Sequence, residues 1–401
     1  MSAQEQRAVA RDAVRALRAS RIREVANAGM GRADVLPFWF GEPDEVTPDF
    51  IRQAAVDALA QGDTFYTQNL GIPALREAIA AYLTRLHRPT GADGVAVTNS
   101  GMSALMIATQ AIVGHGDRVV EVTPLWPNLV EIPKVLGAEV RCAALRFAPE
   151  GWRLDLDELL DALTPGTRAV YINSPNNPTG WTIDSGSQRA ILDHCRRHGI
   201  WILADDAYER LYYGEAGGAS SAVAASFLDI AAPEERVISV NTFSKSWLMT
   251  GWRLGWIATP PALIGDFGTL IEYNTSCASG FVQKAGIAAI TRGEPVIART
   301  LARFRAARDF LIARLREIDG IEVAMPQGAM YAFFRVHGVE DSLGFCKRLV
   351  ADGGLGLAPG SAFGPEGEGC VRWCFAASEA RLAQGVERLA RFLAEFPPAL
   401  A

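Results

Sequence analysis

The sequence predicts an α/β fold, a large unit on a mostly parallel sheet joined to a smaller α+β unit. Three observations predict it. From about residue 48 to about residue 290, short continuously apolar runs alternate with segments of helical period. Strands covered by crossover helices on both faces have that pattern. The pattern then gives way to one long charged helix and a few separate strands and helices. The chain has 401 residues, 49% of them hydrophobic, enough for more than one core.

The elements follow in order. Residues 7–23 interleave arginines with Ala, Val and Leu and read as an amphipathic helix. Residues 36–40 read as a short apolar strand. Both are assigned to the smaller unit, which takes residues 1–47 and 291–401 and leaves 48–290 to the large one. Pro73, followed by apolar residues three and four apart, opens a packed helix. Seven strands are expected, at 95–98, 118–122, 139–143, 168–173, 200–204, 236–240 and 254–258. The last follows its predecessor closely enough to run antiparallel to it. Helical patterns fill 102–113, 128–136, 156–163 and 188–198. The smaller unit reads as a helix at 295–318, a strand at 330–336, a helix at 342–351, a strand at 370–376 and a helix at 379–396. The Gly-Pro-Glu-Gly-Glu-Gly run at 364–369 reads as a mobile loop.

Composition excludes several classes of function. The net charge is −6, from 39 basic and 45 acidic residues, without the basic footprint that nucleic acid requires. The six cysteines (142, 195, 277, 346, 370 and 374) form no CxxC pair, so neither a zinc site nor a disulfide framework is expected, and the thiols read as reduced. Five dispersed histidines lack ligand spacing, so no metal is expected. No signal-peptide core and no membrane-length apolar run appear, and the expected location is the cytoplasm.

The chemistry concentrates in residues 241–256. Lys245 stands in an otherwise uncharged run between two apolar strands, with Thr242 and Ser244 before it and Arg253 eight residues after it. A lysine among apolar groups and near another cation loses its proton more readily and can form a Schiff base. The two hydroxyls and the guanidinium can hold a phosphate. Together they suit pyridoxal 5'-phosphate, which needs an amine for its aldehyde and a cationic cup for its phosphate. Other marked residues follow strands, where open α/β sheets bind ligands. Asn99-Ser100-Gly101-Met102 opens a helix at which an anion can meet free N–H groups. Trp126 follows the second strand, and Asp205 ends an apolar strand where an unpaired acid is costly.

These segments resemble class I/II aminotransferases, the fold-type I pyridoxal-phosphate enzymes. The resemblance rests on Ser244-Lys245 with Met249-Thr250-Gly251-Trp252-Arg253-Leu254-Gly255-Trp256, on Asn173-Ser174-Pro175-Asn176-Asn177-Pro178-Thr179-Gly180, and on Asp205-Asp206-Ala207-Tyr208. It rests also on Tyr66 with Gly71 to Ile79, on Gly41-Glu42-Pro43-Asp44, and on Val371-Arg372 with Phe375. It covers about residues 36–376; Ser174 departs from the motif. The resemblance implies that Lys245 carries the cofactor and acts as general base, and that Asp205 pairs with the pyridine nitrogen. Asn177 and Tyr208 share the phenolic oxygen, and Trp126 stacks on the ring. Gly101, Met102, Thr242, Ser244 and Arg253 hold the phosphate. Tyr66 reaches the phosphate of a neighbouring subunit, which implies a homodimer with shared active sites. Gly41 and Arg372 receive the substrate α-carboxylate, with Asn177 beside them, and Asp206 is structural.

The implied reaction moves an amino group between an L-amino acid and a 2-oxo acid with ping-pong kinetics. Aspartate-preferring bacterial relatives often place a lysine where Met102 stands, so a neutral or aromatic donor is expected. Two other readings share the fold: a β-eliminating C–S lyase, and a non-catalytic sensor in a transcription regulator. The sensor needs a DNA-binding domain, for which the residues before Leu36 are too few.

Overall fold

The computed structural model describes residues 9–148, 150–214 and 223–397. Its main sheet has eight strands: β1 (Val95–Thr98), β2 (Arg118–Thr123), β3 (Glu139–Ala148), β4 (Gly151–Leu154), β5 (Thr167–Asn173), β6 (Trp201–Asp205), β7 (Val237–Thr242) and β8 (Gly255–Ala258). Their order across the sheet is β1-β8-β7-β6-β5-β2-β3-β4. The central neighbours are parallel, β8 is antiparallel to both β7 and β1, and β4 is antiparallel to β3. The antiparallel return of β8 is as expected from its short connection.

The expected count of seven strands is corrected to eight. The extra strand is β4, which pairs with the far half of β3 from Leu145↔Leu154 to Ala148↔Gly151. Here Arg146 and Arg153 alternate with the buried Leu145 and Trp152, so the hairpin is half solvated and lacks the unbroken apolar run that marks the central strands. Trp152 packs on Phe147 (5.3 Å) and on Phe333 of the second sheet (5.5 Å).

That second sheet consists of β9 (Ile321–Val323), β10 (Tyr331–Val336), β11 (Ala358–Pro359) and β12 (Cys370–Cys374), antiparallel throughout in the order β9-β10-β12-β11. Leu36–Pro37 pairs in parallel with Leu355–Gly356. Four helices position the site: α1 (Arg21–Gly29), α2 (Gly101–Ile112), α3 (Pro127–Val135) and α4 (Ser342–Ala351).

The single helix expected at 7–23 is two helices among the described residues, Asp12–Arg15 and α1. Ser20 makes the break: its Oγ accepts the Arg23 N–H at 3.2 Å and caps α1. Upstream, Arg11 donates to the Val135 carbonyl and the Arg18 N–H to Glu131, tying that segment to α3. Downstream, α1 buries Ile22, Val25, Ala26 and Gly29. A Cβ on Gly29 would lie 2.9 Å from Val350 Cγ1 of α4, so only glycine permits that approach.

Residues 364–369 are packed rather than free. Gly360 and Gly367 come so close that a Cβ on Gly360 would lie 1.9 Å from the Gly367 carbonyl oxygen. The Glu368 carboxylate accepts the Ser342 N–H at 2.7 Å. Gly367 serves that backbone contact, and Gly364 (φ 123°) and Gly369 (φ 76°) take backbone conformations that favour glycine.

Candidate active site

The C-terminal ends of β5, β6 and β7 and the start of α2 face a cavity of about 440 Å³. One end of it is built for an anion. Ser100 caps α2 at φ 104°, and its Oγ accepts the Ser103 N–H at 3.2 Å. Gly101 follows against Thr242, and Gly255 of β8 lies directly behind it. A Cβ on Gly255 would stand 2.6 Å from the Gly101 nitrogen. This close stacking presents the first N–H groups of α2 to the cavity, where the helix dipole also favours negative charge. Thr242 Oγ1 donates to Ser244 Oγ at 2.9 Å, and Arg253 lines the same end. Arg253 has φ 54°, and its guanidinium donates to the Thr250 carbonyl.

Lys245 occupies the middle. Phe243 and Trp247, two residues to either side, are fully buried against each other (5.0 Å) and against Trp256 of β8. Burying such rings stabilises by roughly 1.5–3 kcal/mol each, so the backbone that carries the lysine is firmly held. Lys245 Nζ donates to the Gly41 carbonyl at 2.6 Å. Burial lowers its pKa to about 8, and the nearby Arg372 and Arg253 act in the same direction. Asp205, at the end of β6, is pushed up to about 6 by burial, against a 3.2 Å hydrogen bond from the Ala207 N–H and the charge of Lys245. The Tyr208 hydroxyl lies 2.8 Å from that of Tyr331, and burial raises the pKa of both.

Arg372 of β12 closes the next wall. Its Nη1 donates to Asn177 Oδ1 at 2.9 Å and its Nη2 to the Trp39 carbonyl, while its Nε has no partner among the described residues. The guanidinium lies over the rings of Tyr331 (4.5 Å) and Phe363 (4.9 Å). Gly41 fits because a Cβ there would overlap the Tyr331 hydroxyl at 1.9 Å. Trp126 and Met102 complete an apolar side, and Asn128 Nδ2 approaches Met102 Sδ at 3.4 Å. Asp206 points away from the cavity and accepts from Ser226 (3.0 Å) and Ser239 (2.6 Å), the structural place expected for it.

Every residue expected from the sequence to touch cofactor or substrate lines this cavity except Tyr66, which is 90% exposed on the outside of the chain. Sequence reasoning missed Tyr331, a tyrosine heading a strand that is apolar but for the exposed Arg335. It also missed Ser20, Ile22 and Arg23 of the N-terminal segment, where helical period masked a cavity wall. Among the described residues no cluster of His, Cys, Asp or Glu is arranged to hold a metal ion, and no helix is long and apolar enough to cross a membrane.

The fold and this cavity define the class: an α/β enzyme with a buried lysine facing a carboxylate, and with an anion cup at a helix start. Residues 33–389 match the family model for aminotransferase class I and II. The chain is 33% identical to an aspartate aminotransferase of Pyrococcus horikoshii over 94% of this chain and 95% of the relative. It is 33% identical to a probable aspartate/prephenate aminotransferase of Aquifex aeolicus, covering 90% and 92% respectively. The crystal structure of an aromatic aminotransferase from Pyrococcus horikoshii superposes with a TM-score of 0.85 at 30% identity, covering 94% of this chain and all of that one. The chain therefore belongs to the class I and II aminotransferases and is a fold-type I transaminase.

Proposed function

We propose that this aminotransferase binds pyridoxal 5'-phosphate at Lys245 and passes an amino group between an L-amino acid and a 2-oxo acid. The observation that carries the reading is Lys245 itself, a buried amine with a pKa near 8 in one cavity with Asp205 and Arg372. The residues fit the cofactor. The Gly101–Gly255 stack leaves room only for backbone and directs N–H groups to a phosphate, beside Ser244 and Arg253. The Asp205 carboxylate is costly where it stands and is relieved by a pyridinium N–H. Asn177 and Tyr208 line the wall suited to the phenolic oxygen, and Trp126 supplies a stacking face.

When bound, the cofactor supplies an aldehyde that condenses with amines and a ring that accepts the electron pair of the α-carbon. The chain's residues do the rest. Arg372, steadied by Asn177 and Trp39, takes the substrate α-carboxylate with the hydrogens it has free. Lys245 would be the base, taking the substrate α-proton on its Nζ. Asp205 would hold the ring nitrogen protonated. The apolar wall of Met102 and Trp126 keeps water from the reacting carbon. On this reading the protein works as a homodimer in the cytoplasm, with Tyr66 serving the partner subunit's site. An uncharged Met102 suits neutral and aromatic side chains.

The test is the visible spectrum of the purified protein during titration with single amino acids. The expected result is a yellow band that an effective donor bleaches and an added 2-oxo acid restores. A band that persists while pyruvate accumulates from a cysteine-type substrate would make the protein a lyase. A folded protein that the cofactor cannot colour would remove Lys245 from its role.

A further inference from the structure

The turn after β6 presents Asp205 and Tyr208 to the cavity, and it also carries Asp206, Glu209 and Arg210, which lie outside the cavity lining and are buried at 4%, 2% and 0% exposure. Arg210 makes a two-pronged pair with Glu294 of the helix Glu294–Arg316, at 2.9 and 2.7 Å. Glu209 accepts from the Tyr82 hydroxyl at 2.8 Å and meets His87 Nε2 at 3.1 Å. Tyr82 belongs to the helix Pro73–Leu86, and His87 is the residue that ends it. The other ring nitrogen of His87, Nδ1, lies 2.8 Å from Asp229 Oδ1. Asp229 Oδ2 accepts the Ser226 N–H at 2.8 Å, and Ser226 Oγ in turn donates to Asp206. One polar network thus runs behind the wall that holds the cofactor's partners.

The contacts of His87 settle its charge. Each of its ring nitrogens meets a carboxylate, which accepts and does not donate. A neutral imidazole has one N–H, so it would set a lone pair against the second acid; with both acids ionised, only the imidazolium satisfies both. Burial opposes this charge, and the hydrogen bonds to Asp229 and Glu209 outweigh it, raising the pKa of His87 to about 10. The same charge reaches Asp206, where it works against burial and the nearby Glu209, both of which push that carboxyl up. The groups facing His87 are therefore Glu209 and Asp206 from the turn and Asp229 from the 226–229 segment. Tyr82, Arg210 and Glu294 stand behind Glu209, and Arg88, beside His87 in the chain, donates to the Ala231 carbonyl.

We infer that His87 is a positioning residue: its imidazolium, held between Glu209 and Asp229, fixes the turn that brings Asp205 and Tyr208 to the cofactor. The inference rests on the aminotransferase reading of the cavity and deepens it. Glu209 follows Tyr208 directly in the chain, and the turn is tight, with the Glu209 N–H on the Asp206 carbonyl at 3.0 Å and the Leu211 N–H on the Tyr208 carbonyl at 2.8 Å. Any shift of Glu209 is passed on to Tyr208. Without the imidazolium, Glu209 keeps a buried negative charge and loses the cation it contacts. At low pH it takes up a proton and stays in place. As pH rises it ionises, and the turn moves to rehydrate it.

The experiment has two arms. In the first, the apoprotein is labelled with 15N-histidine and its imidazole signals are followed by NMR. One of the five histidines is expected to keep both ring protons at pH 8.5, and that signal should vanish in His87→Gln. In the second, kcat and KM of the holoenzyme are measured from pH 6 to pH 9. In His87→Gln, kcat is expected to fall about 10-fold at pH 9 and less at pH 6, with KM changed by less than about threefold. The double variant His87→Gln with Glu209→Gln, which has no charge left unpaired at that contact, should recover kcat to within about threefold of wild type and lose the added pH dependence. An unchanged kcat in His87→Gln would overturn the inference. So would a loss that is the same at every pH and persists in the double variant, since that marks a packing role, and so would a wild type in which every histidine titrates near neutrality. If His87→Gln does not fold, His87→Lys decides: it keeps a cation against Glu209, and kcat should stay within about threefold of wild type across the range, whereas a larger loss overturns the inference. Failure of the aminotransferase reading looks different: the wild type would lack transamination or cofactor uptake, while the NMR signal, read without cofactor, would be unaffected.

Discussion

Asp205 shows how one residue links stability to chemistry. Its carboxyl titrates near 6 in the folded chain because burial disfavours the charge, against 3.8 for a free side chain. Between those values the folded protein without cofactor holds more protons than the unfolded chain. Stability therefore falls as pH rises through roughly 4 to 6, and the full penalty applies above 6. Asp205→Asn removes the charge. The cofactor-free variant is expected to be more stable than wild type at pH 8, by on the order of 3 kcal/mol at most, and no more stable near pH 4. Urea unfolding at the two pH values measures this. A variant equally or less stable at pH 8 would show that the buried charge is not strained. The holoenzyme should respond in the opposite sense, because the amide no longer holds the ring nitrogen protonated, and kcat is expected to drop about a hundredfold or more. These site residues were legible in the sequence because each is a polar group in an apolar setting: Asp205 at the end of one strand, Lys245 between two others, Arg372 within a third. Tyr331 was not, since a tyrosine among Met, Ala and Phe reads as core. Only the strand pairing Tyr331↔Cys374 brings its hydroxyl to Tyr208.

At the scale of elements, the anion cup depends on contact between β8 and the start of α2. Gly255 is the tightest point, with the Gly101 nitrogen, the Ser100 carbonyl carbon and the Asn241 carbonyl oxygen all within 2.8 Å of any added Cβ. All three are backbone, so none can rotate away. Gly255→Ala is expected to force α2 off β8 and to weaken cofactor binding by about 10- to 100-fold, the equivalent of the 1–3 kcal/mol usual for overpacking. Gly251→Ala, two positions before Arg253 with open space around the added methyl, should have little effect and serves as the control. Fluorescence titration of the apoproteins with cofactor tests both; equal affinities would mean that backbone approach does not set the cup. The sequence made the central strands visible because both their faces are apolar. It concealed the elements whose form depends on partners. The β4 hairpin alternates rather than running apolar. The N-terminal segment has a helical period on both sides of Ser20, and what breaks it is a single cap together with anchoring to α3 and α4. The 364–369 glycines look the same in sequence whether they loosen a loop or let two backbones touch.

Across the whole molecule, Tyr66 sits apart from the cavity, in an exposed aromatic setting at its edge. Phe65, Tyr66 and Tyr273 are 84%, 90% and 87% exposed, an unusual concentration of bare aromatic surface. The segments that carry them are tied together, Asn69 to Glu272 and the Thr67 N–H to the Cys277 sulfur. The second segment reaches the anion cup from outside, through Asn274 to Ser103 and Thr275 to Asn99. The aromatic patch is thus at the rim of the anion cup. In a twofold dimer the contact is reciprocal, so Tyr66 of each copy would be delivered to the other copy's rim. Sedimentation is expected to give a dimer. The sharper test mixes two inactive or weakened variants, Lys245→Ala and Tyr66→Ala. A heterodimer of the two contains one site with both residues intact and one site lacking both. Co-refolding or co-expression should therefore yield more activity than either variant alone, approaching half of wild type per heterodimer. Tyr66→Ala by itself should lose about 10- to 100-fold in cofactor affinity if its hydroxyl bonds a phosphate. If the mixture gains nothing over Tyr66→Ala alone while forming heterodimers, Tyr66 serves no neighbouring site, and the exposed aromatics are contact surface only.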